Sequence, residues 1–290
     1  MSPSDLSPAS RTVLRAQSAL GVPLLASEIS VLFRRRRTWA MLATLALIPL
    51  LIALAVRLTS SRPPSGHGPA FLDQVSQNGL FVSFVALLVS VPLFLPLTVG
   101  VVAGDTIAGE ASAGTLRYLL IAPAGRLRLL VVKYLATALF CLAATLTVTI
   151  AGALVGAALF PIGPVTLLSG DTIPVGDSIV RALLIAAYIT VSLLGLSAIG
   201  LFISTMTDVP VGAMATTIVL SVVSQVLDSL PQLAWLQPWL FSHYWLGFAD
   251  LLRQPPSWDS FATNALLQAG YLAVFGTLAF GRFTTKDILS

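Results

Sequence analysis

The longest apolar stretch of the chain, residues 130–160, reads LVVKYLATALFCLAATLTVTIAGALVGAALF. Its 31 residues would form a helix about 46 Å long, whereas the apolar core of a bilayer is about 30 Å thick. The stretch is therefore long enough to cross a membrane, and it must tilt or extend beyond the bilayer. Apolar runs of this length predict helices, because the strands of a membrane barrel alternate over about ten residues.

Five more apolar stretches complete a set of six predicted spans: 38–57, 78–103, 179–205, 210–230 and 262–281. The composition agrees, because the mean hydropathy is +0.91 and charged residues make up 10% of the 290 residues, against about 25% in soluble domains. Such a composition excludes a soluble globular chain and a disordered one. The single cysteine, Cys141, excludes an internal disulfide framework. We expect an all-α polytopic membrane protein, with a mobile tail over 1–21 and one six-span domain over 22–290.

The basic residues predict how the chain lies in the membrane. If both termini, the segment 104–129 with the nearby Lys133, and the turn near 206–209 share one side, that side carries twelve of the sixteen Lys and Arg residues. The acidic residues divide six and six, so they do not orient the chain. Because basic residues concentrate on the cytoplasmic side, we expect cytoplasmic termini. We also expect an uncleaved chain, since the first twenty residues lack the apolar core of a signal peptide.

Two segments have the composition of helices that lie at a membrane surface. In 22–37, an apolar face that includes Leu25, Ile29 and Leu32 is followed by four consecutive arginines, which predicts an interfacial helix. The arginines could instead serve only as a topology signal. The segment 231–261 holds four of the five tryptophans and four prolines, so we expect broken helices at the outer interface between spans five and six.

Polar residues and prolines within the spans mark a candidate translocation path. Pro92 and Pro96 disfavour a straight helix in span two, and such a kink can line a pathway or be an ordinary feature of a membrane helix. In span five, Ser221, Gln225 and Asp228 share one face, which must meet protein or water rather than lipid. This face either contacts a substrate or hydrogen-bonds to neighbouring helices.

Two glycines in span three and two histidines carry less specific signals. Gly152 and Gly156 have the spacing that lets helices approach closely, and the surrounding composition favours packing within the chain over a dimer interface. His67 lacks partners for a metal site. His243 lies among aromatic residues, which favours packing or hydrogen bonding over ligand binding.

The segment between spans two and three carries the most informative pattern. Residues 104–136 read GDTIAGEASAGTLRYLLIAPAGRLRLLVVKYLA. Within it, the stretch Glu110–Leu120 has an apolar edge made of Leu116, Leu119 and Leu120, and Pro123 follows it. This pattern predicts a short amphipathic helix in a cytoplasmic loop. Such a helix can dock onto a partner protein, or it can be an ordinary interfacial element.

This segment resembles one in ABC type-2 exporter permeases, where Gly-Glu, Gly-Thr-Leu, Pro, Arg and Lys recur in this order. The matching positions are Gly109, Glu110, Gly114, Thr115, Leu116, Pro123, Arg126 and Lys133. The predicted layout of interfacial helix, six spans and broken outer helices is also similar. In that family the segment holds the coupling helix, which seats in a groove of the ATPase. The resemblance therefore implies ATPase-coupling residues at Gly109, Glu110, Gly114, Thr115, Leu116, Arg117, Leu119 and Leu120.

The resemblance also implies the partners of the chain. Neither Lys133 nor Lys286 lies in the Gly-Lys-Ser/Thr sequence of a P-loop, so we expect ATP and Mg²⁺ on two copies of a separate ATPase subunit. A second permease copy, identical or homologous, would complete the exporter in the plasma membrane of a bacterium. The chain itself would be a non-catalytic subunit without a cofactor or nucleic-acid partner, and its cargo would be hydrophobic or amphipathic.

Two other function classes fit the sequence less well than the exporter does. An ion-coupled secondary transporter usually needs ionisable groups near the middle of the membrane and often has inverted repeats. No predicted span carries a central charge, and no repeat is convincing. An intramembrane enzyme would need a catalytic constellation that two histidines and one cysteine do not supply.

Overall fold

Helices dominate the computed structural model, which describes residues 21–59, 78–115, 125–166 and 171–285. In chain order the α-helices are α1 Gly21–Arg34, α2 Arg36–Thr59, α3 Phe81–Ser90, α4 Phe94–Ser112, α5 Arg126–Leu159, α6 Val175–Met206, α7 Pro210–Asp228 and α8 Asp259–Thr285. Among these described helices, α2 and α4 to α8 are long and apolar enough to cross a membrane, which makes six. The fold is therefore consistent with the predicted all-α polytopic class.

A small antiparallel hairpin is the exception to the helical class. Val165–Thr166 pairs with Thr172–Ile173, and Val165 lies opposite Ile173. Both of these side chains are buried. Strands of two residues leave almost no alternating pattern in a sequence, so the sequence did not indicate them.

Helix α6 lies at the centre of the bundle, where it contacts α4, α5, α7 and α8. In α4 and α6, 61% of the most apolar window is buried within the protein, compared with 22% in α7 and 17% in α8. The apolar outer faces of α7 and α8 therefore match a lipid environment, while α4 and α6 form the protein core.

Glycines bring α3 and α5 into backbone contact. The Gly79 amide donates to Pro161 O at 3.0 Å. A Cβ added to Gly156 would lie 1.9 Å from Gly79 O, and one added to Gly152 would lie 2.7 Å from Ser83 Cα. The Ser83 hydroxyl also donates to Thr149 O across the same contact, at 3.0 Å. The predicted packing of the glycine pair within the chain is confirmed.

The predicted second span, 78–103, is not one helix. It divides into α3 and α4 around Pro92, which has no amide to continue the hydrogen-bond ladder. Helix α4 then runs past residue 103 to Ser112. Gly104 lets α7 pack closely against this extension, because a Cβ there would lie 2.6 Å from Met214 N of α7. The Ser204 hydroxyl of α6 accepts from the amides of Ile107 and Ala108 and donates to Gly104 O, all within 2.9 Å.

The segment between α7 and α8 is broken into short pieces, as predicted. The pieces are 3₁₀-helices rather than α-helices, at Pro231–Leu233, Gln237–Trp239 and Gly247–Leu252. Trp235, Trp239 and Trp258 are exposed, which suits residues of an aromatic belt. Trp245 differs from this expectation, because its ring is buried and its Nε1 donates to Ser192 O of α6 at 3.0 Å.

Candidate functional site

A buried lysine joins three helices at one end of the bundle. The Lys133 side chain of α5 is only 2% exposed. Its Nζ donates to Glu28 of α1, at 3.2 Å from Oε2, and to Glu110 Oε1 of α4. The second Glu110 oxygen, Oε2, is buried and has no hydrogen-bond partner among the described residues. Because a buried charge is stable only when it is paired, Lys133 holds both carboxylates close to α5.

A second ion-pair group lies beside the first. Arg35 Nη1 and Arg37 Nη2 both bind Asp105 Oδ2 of α4, at 2.7 and 2.5 Å. Arg35 separates α1 from α2, so this contact fixes the bend between the two helices against α4. Together with Glu28, Glu110 and Lys133, these residues surround a cavity of about 40 Å³. We call these six residues the charged cluster, and they contain three cations and three anions.

The structure changes the predicted position of Glu110. The sequence predicts that Glu110 begins a short helix ending at Leu120, but Glu110 lies near the end of α4, which stops at Ser112. Gly114 follows with a φ of +68°, a conformation that favours glycine. The Thr115 amide then donates to Glu110 O at 3.0 Å, which closes the turn.

The other predicted coupling residues divide into two groups. Gly109 packs against Asp105, because a Cβ at Gly109 would lie 2.6 Å from Asp105 Oδ1. The apolar edge, which consists of Leu116, Leu119 and Leu120, lies outside the described residues. The neighbouring Arg117 and Pro123 lie outside them as well. Arg126, which does lie within them, binds Thr284 O at 2.5 Å and so joins the start of α5 to the end of α8.

A second cavity, of about 210 Å³, lies at the end of α7. Pro92, Gln225 and Asp228, three of the five predicted path residues, line it together with His243 and Trp245. The structure does not bring the other two there. Ser221 is buried and its hydroxyl donates to Ile218 O, and Pro96 is buried in α4. Proline and polar residues that were predicted separately thus share one cavity, which we call the α7 cavity.

A histidine and aspartate pair forms the polar wall of the α7 cavity. His243 Nδ1 lies 2.6 Å from Asp228 Oδ1, and the two side chains are 31% and 27% exposed. The expected hydrogen-bonding role of His243 is confirmed. Its partner Asp228 was not predicted from the sequence. The two residues are fifteen positions apart, and the turn of the chain that brings them together leaves no periodic signal. In the described ranges, no group of three or more His, Cys, Asp or Glu residues could hold a metal ion.

A comparison with protein families assigns most of the chain. The family described as "Protein of unknown function (DUF2705)" matches residues 41–289. The match includes α4 to α8 and the whole α7 cavity, whereas Glu28, Arg35 and Arg37 of the charged cluster precede it. No curated protein matches the chain. The match covers well over half of the sequence, and the chain therefore belongs to the DUF2705 family.

Proposed function

We propose that this chain is the membrane-spanning permease subunit of an ATP-binding-cassette exporter. Six candidate spans and the resemblance of residues 104–136 to the coupling segment of type-2 permeases support the proposal. A P-loop sequence is absent from the 290 residues, so a separate ATPase subunit with Mg²⁺ would supply ATP hydrolysis. Two permease copies and two ATPase copies would form the complete exporter, in the plasma membrane of a bacterium.

The observation that carries this proposal is the contact between Lys133 and Glu110. These two residues of the family-like segment lie 23 positions apart, and the fold brings them into one ion pair. Glu28 adds α1 to the pair, so α1, α4 and α5 are joined where the segment leaves α4. A movement of residues 113–125 would therefore be passed to three helices together, which is what a coupling segment must do.

The basic residues give the proposal an orientation. The charged cluster and both termini would face the cytoplasm, because that orientation puts twelve of the sixteen basic residues on the cytoplasmic side. Helix α1 would lie in the inner interface, and the short helices around Trp235 and Trp239 in the outer one. The α7 cavity would then open toward the outer half of the membrane, as part of the path for a hydrophobic or amphipathic cargo.

In the proposed mechanism, ATP binding shifts the population between two states of the permease. Closure of the two ATPases would push on the segment after Ser112 and move α4 and α5 through the charged cluster. Two permease copies would then rock from inward-open to outward-open conformations. The chain itself performs no bond chemistry in this cycle.

Purification of the tagged chain from its native membrane tests the proposal. An exporter permease should retain an ATPase that carries a P-loop, and reconstituted vesicles should move cargo only with ATP and Mg²⁺. A preparation that contains the folded chain and transports its cargo without any ATPase would refute the proposal.

An ion-coupled secondary transporter remains the second candidate because of one observation. Lys133, Asp105 and Glu110 lie within candidate spans, and Lys133 is almost fully buried. Buried ionisable groups of this kind also occur in proton and ion relays. Transport that persists without ATP and stops when an ion gradient is collapsed would favour this candidate over the exporter.

A further inference from the structure

The α7 cavity lies where an α-helix ends. Asp228 is the last residue of α7, and the carbonyl oxygens at a helix C-terminus carry partial negative charge. The Asp228 carboxylate adds a full negative charge at the same place. His243 is the one basic side chain among the residues that line the cavity. Gln237 Nε2 already donates to Asp228 O at 2.9 Å, so the carboxylate is the main feature that attracts a cation.

Two acceptor oxygens of the cavity wall receive no hydrogen bond from the residues that the structure describes. Asp228 Oδ1 binds His243, but in the described part of the chain no hydrogen bond reaches Asp228 Oδ2. The Gln225 amide donates through Nε2 to Ser221 O at 3.3 Å, and no donor in the same ranges reaches its Oε1. A ligand with several N–H donors could bind both oxygens, and bonds to the carboxylate would be charge-assisted.

The rest of the wall consists of four apolar residues and two serines, Ser229 and Ser242, whose hydroxyls already hydrogen-bond to Val226 O and Ser224 Oγ. Val91, Pro92, Trp245 and Leu246 face the same space. Its volume of about 210 Å³ is below the roughly 300–1,000 Å³ of pockets that hold drug-sized molecules. The cavity therefore suits a fragment with a polar end and a small apolar body, or the corresponding end of a longer amphipathic molecule.

We propose that the α7 cavity binds the protonated amine of a small amphipathic molecule. Asp228 and Gln225 accept hydrogen bonds from the ammonium group, and Pro92 and Trp245 contact the adjoining carbon atoms. His243 shares the Asp228 carboxylate and keeps it in place when the cavity is empty. Describing this amine as a transported cargo rests on the proposed exporter function, whereas its binding does not.

Three probes of similar size and different charge test this selectivity on the full-length chain in nanodiscs. The probes are 2-phenylethylammonium, neutral 2-phenylethanol and anionic phenylacetate, and ligand-observed saturation-transfer NMR compares them with empty nanodiscs. The ammonium probe should saturate and bind about tenfold more tightly than the alcohol, since it replaces a neutral hydrogen bond by one between charges. Phenylacetate should not bind. Equal responses of the alcohol and the ammonium probe would overturn the proposal.

Substitutions locate the binding. Asp228→Asn retains the shape of the side chain and should weaken ammonium binding about tenfold. Asp177→Asn is the matched control, because it makes the same charge change at an exposed position near the start of α6. Gln225→Met removes the second acceptor and should weaken binding by about threefold. Unchanged ammonium binding in both Asp228→Asn and Gln225→Met would place the amine elsewhere and overturn the proposal.

The probe measurement separates this inference from the exporter proposal. Ammonium binding is measured without an ATPase, so selective binding in a chain that retains no ATPase supports the amine site and refutes the exporter. An ATPase-bound chain with no preference for the ammonium probe refutes the amine site alone. If Asp228→Asn does not fold, the wild-type series of three probes and Gln225→Met still decide the outcome.

Discussion

Gly79 and Gly156 approach each other so closely that a Cβ on Gly156 would lie 1.9 Å from the carbonyl oxygen of Gly79. Backbone therefore meets backbone where α3 crosses the last turns of α5. No rotamer change can relieve a clash of this kind, because the obstructing atom belongs to the main chain. The contact depends on the absence of side chains at both positions.

Gly156→Ala should accordingly destabilise the protein by about 1–3 kcal/mol, the usual cost of overpacking a close contact. Gly281→Ala in α8 is the matched control, because nothing lies within 4 Å of its added Cβ. Alanine within a helix interior is favoured over glycine by about 0.5–1 kcal/mol, so the control should be neutral or stabilising. Thermal unfolding in detergent measures both variants, and equal unfolding temperatures would contradict the α3–α5 contact.

Lys133→Met should be more harmful than loss of an exposed cation. It leaves Glu28 and Glu110 without their shared partner, and breaking a buried ion pair costs about 3–5 kcal/mol. Arg282→Met removes a charge from an exposed position of α8 and should change stability little. Adding Glu110→Gln to Lys133→Met should restore part of the stability, since it removes one uncompensated carboxylate. Strictly additive losses in the double variant would contradict the ion pair.

The proposed orientation predicts which engineered cysteines react from outside the cell. Ser257→Cys should react with a membrane-impermeant maleimide on intact cells, as should Ser65→Cys, which lies outside the described residues. Ser112→Cys, an exposed position at the end of α4, should react only after permeabilisation. The native Cys141 is fully buried and should give little background. External labelling at residue 112 would reverse the orientation.

Leu116→Asp tests the coupling segment. An ATPase groove that holds an apolar edge excludes water, so a buried carboxylate there should abolish co-purification of the ATPase. Ala113→Asp places the same charge at an exposed position three residues earlier and should spare the complex. Glu110→Gln should spare assembly but reduce substrate-stimulated ATP hydrolysis, because it weakens the link to Lys133. If Leu116→Asp retains the ATPase and its stimulation, α1 becomes the better candidate for coupling.

The six candidate spans follow from the sequence because hydropathy is summed over about twenty residues and tolerates local errors. Their ends do not follow as well. Gly104 and Asp105 suggest the end of a span, yet α4 continues to Ser112, and Met214 and Ser204 pack against the continuation. Contacts of this kind come from residues about a hundred positions away, which no local pattern contains.

The candidate sites, like the spans, could be predicted from the sequence only in part. The spacing of Gln225 and Asp228 predicts a shared helix face, and the structure places both on one cavity. The participation of His243 and Pro92 depends on how the broken segments fold back on α7, so it could not be predicted. Lys133 likewise appears in the sequence as one basic residue near the start of a span. Its two carboxylate partners lie on other helices, 23 and 105 positions away.

The hydrogen bonds of the Ser204 hydroxyl can form only late in the synthesis of the chain. The hydroxyl accepts hydrogen bonds from the amides of Ile107 and Ala108 and donates one to the carbonyl of Gly104. Ser204 is nevertheless synthesised 96 to 100 residues after these partners. A nascent chain that has inserted α4 must therefore wait for α6 before these backbone contacts exist. The hydrogen bonds from Ser204 that hold the last turns of α4, which include Glu110, therefore form only after α6 has been made.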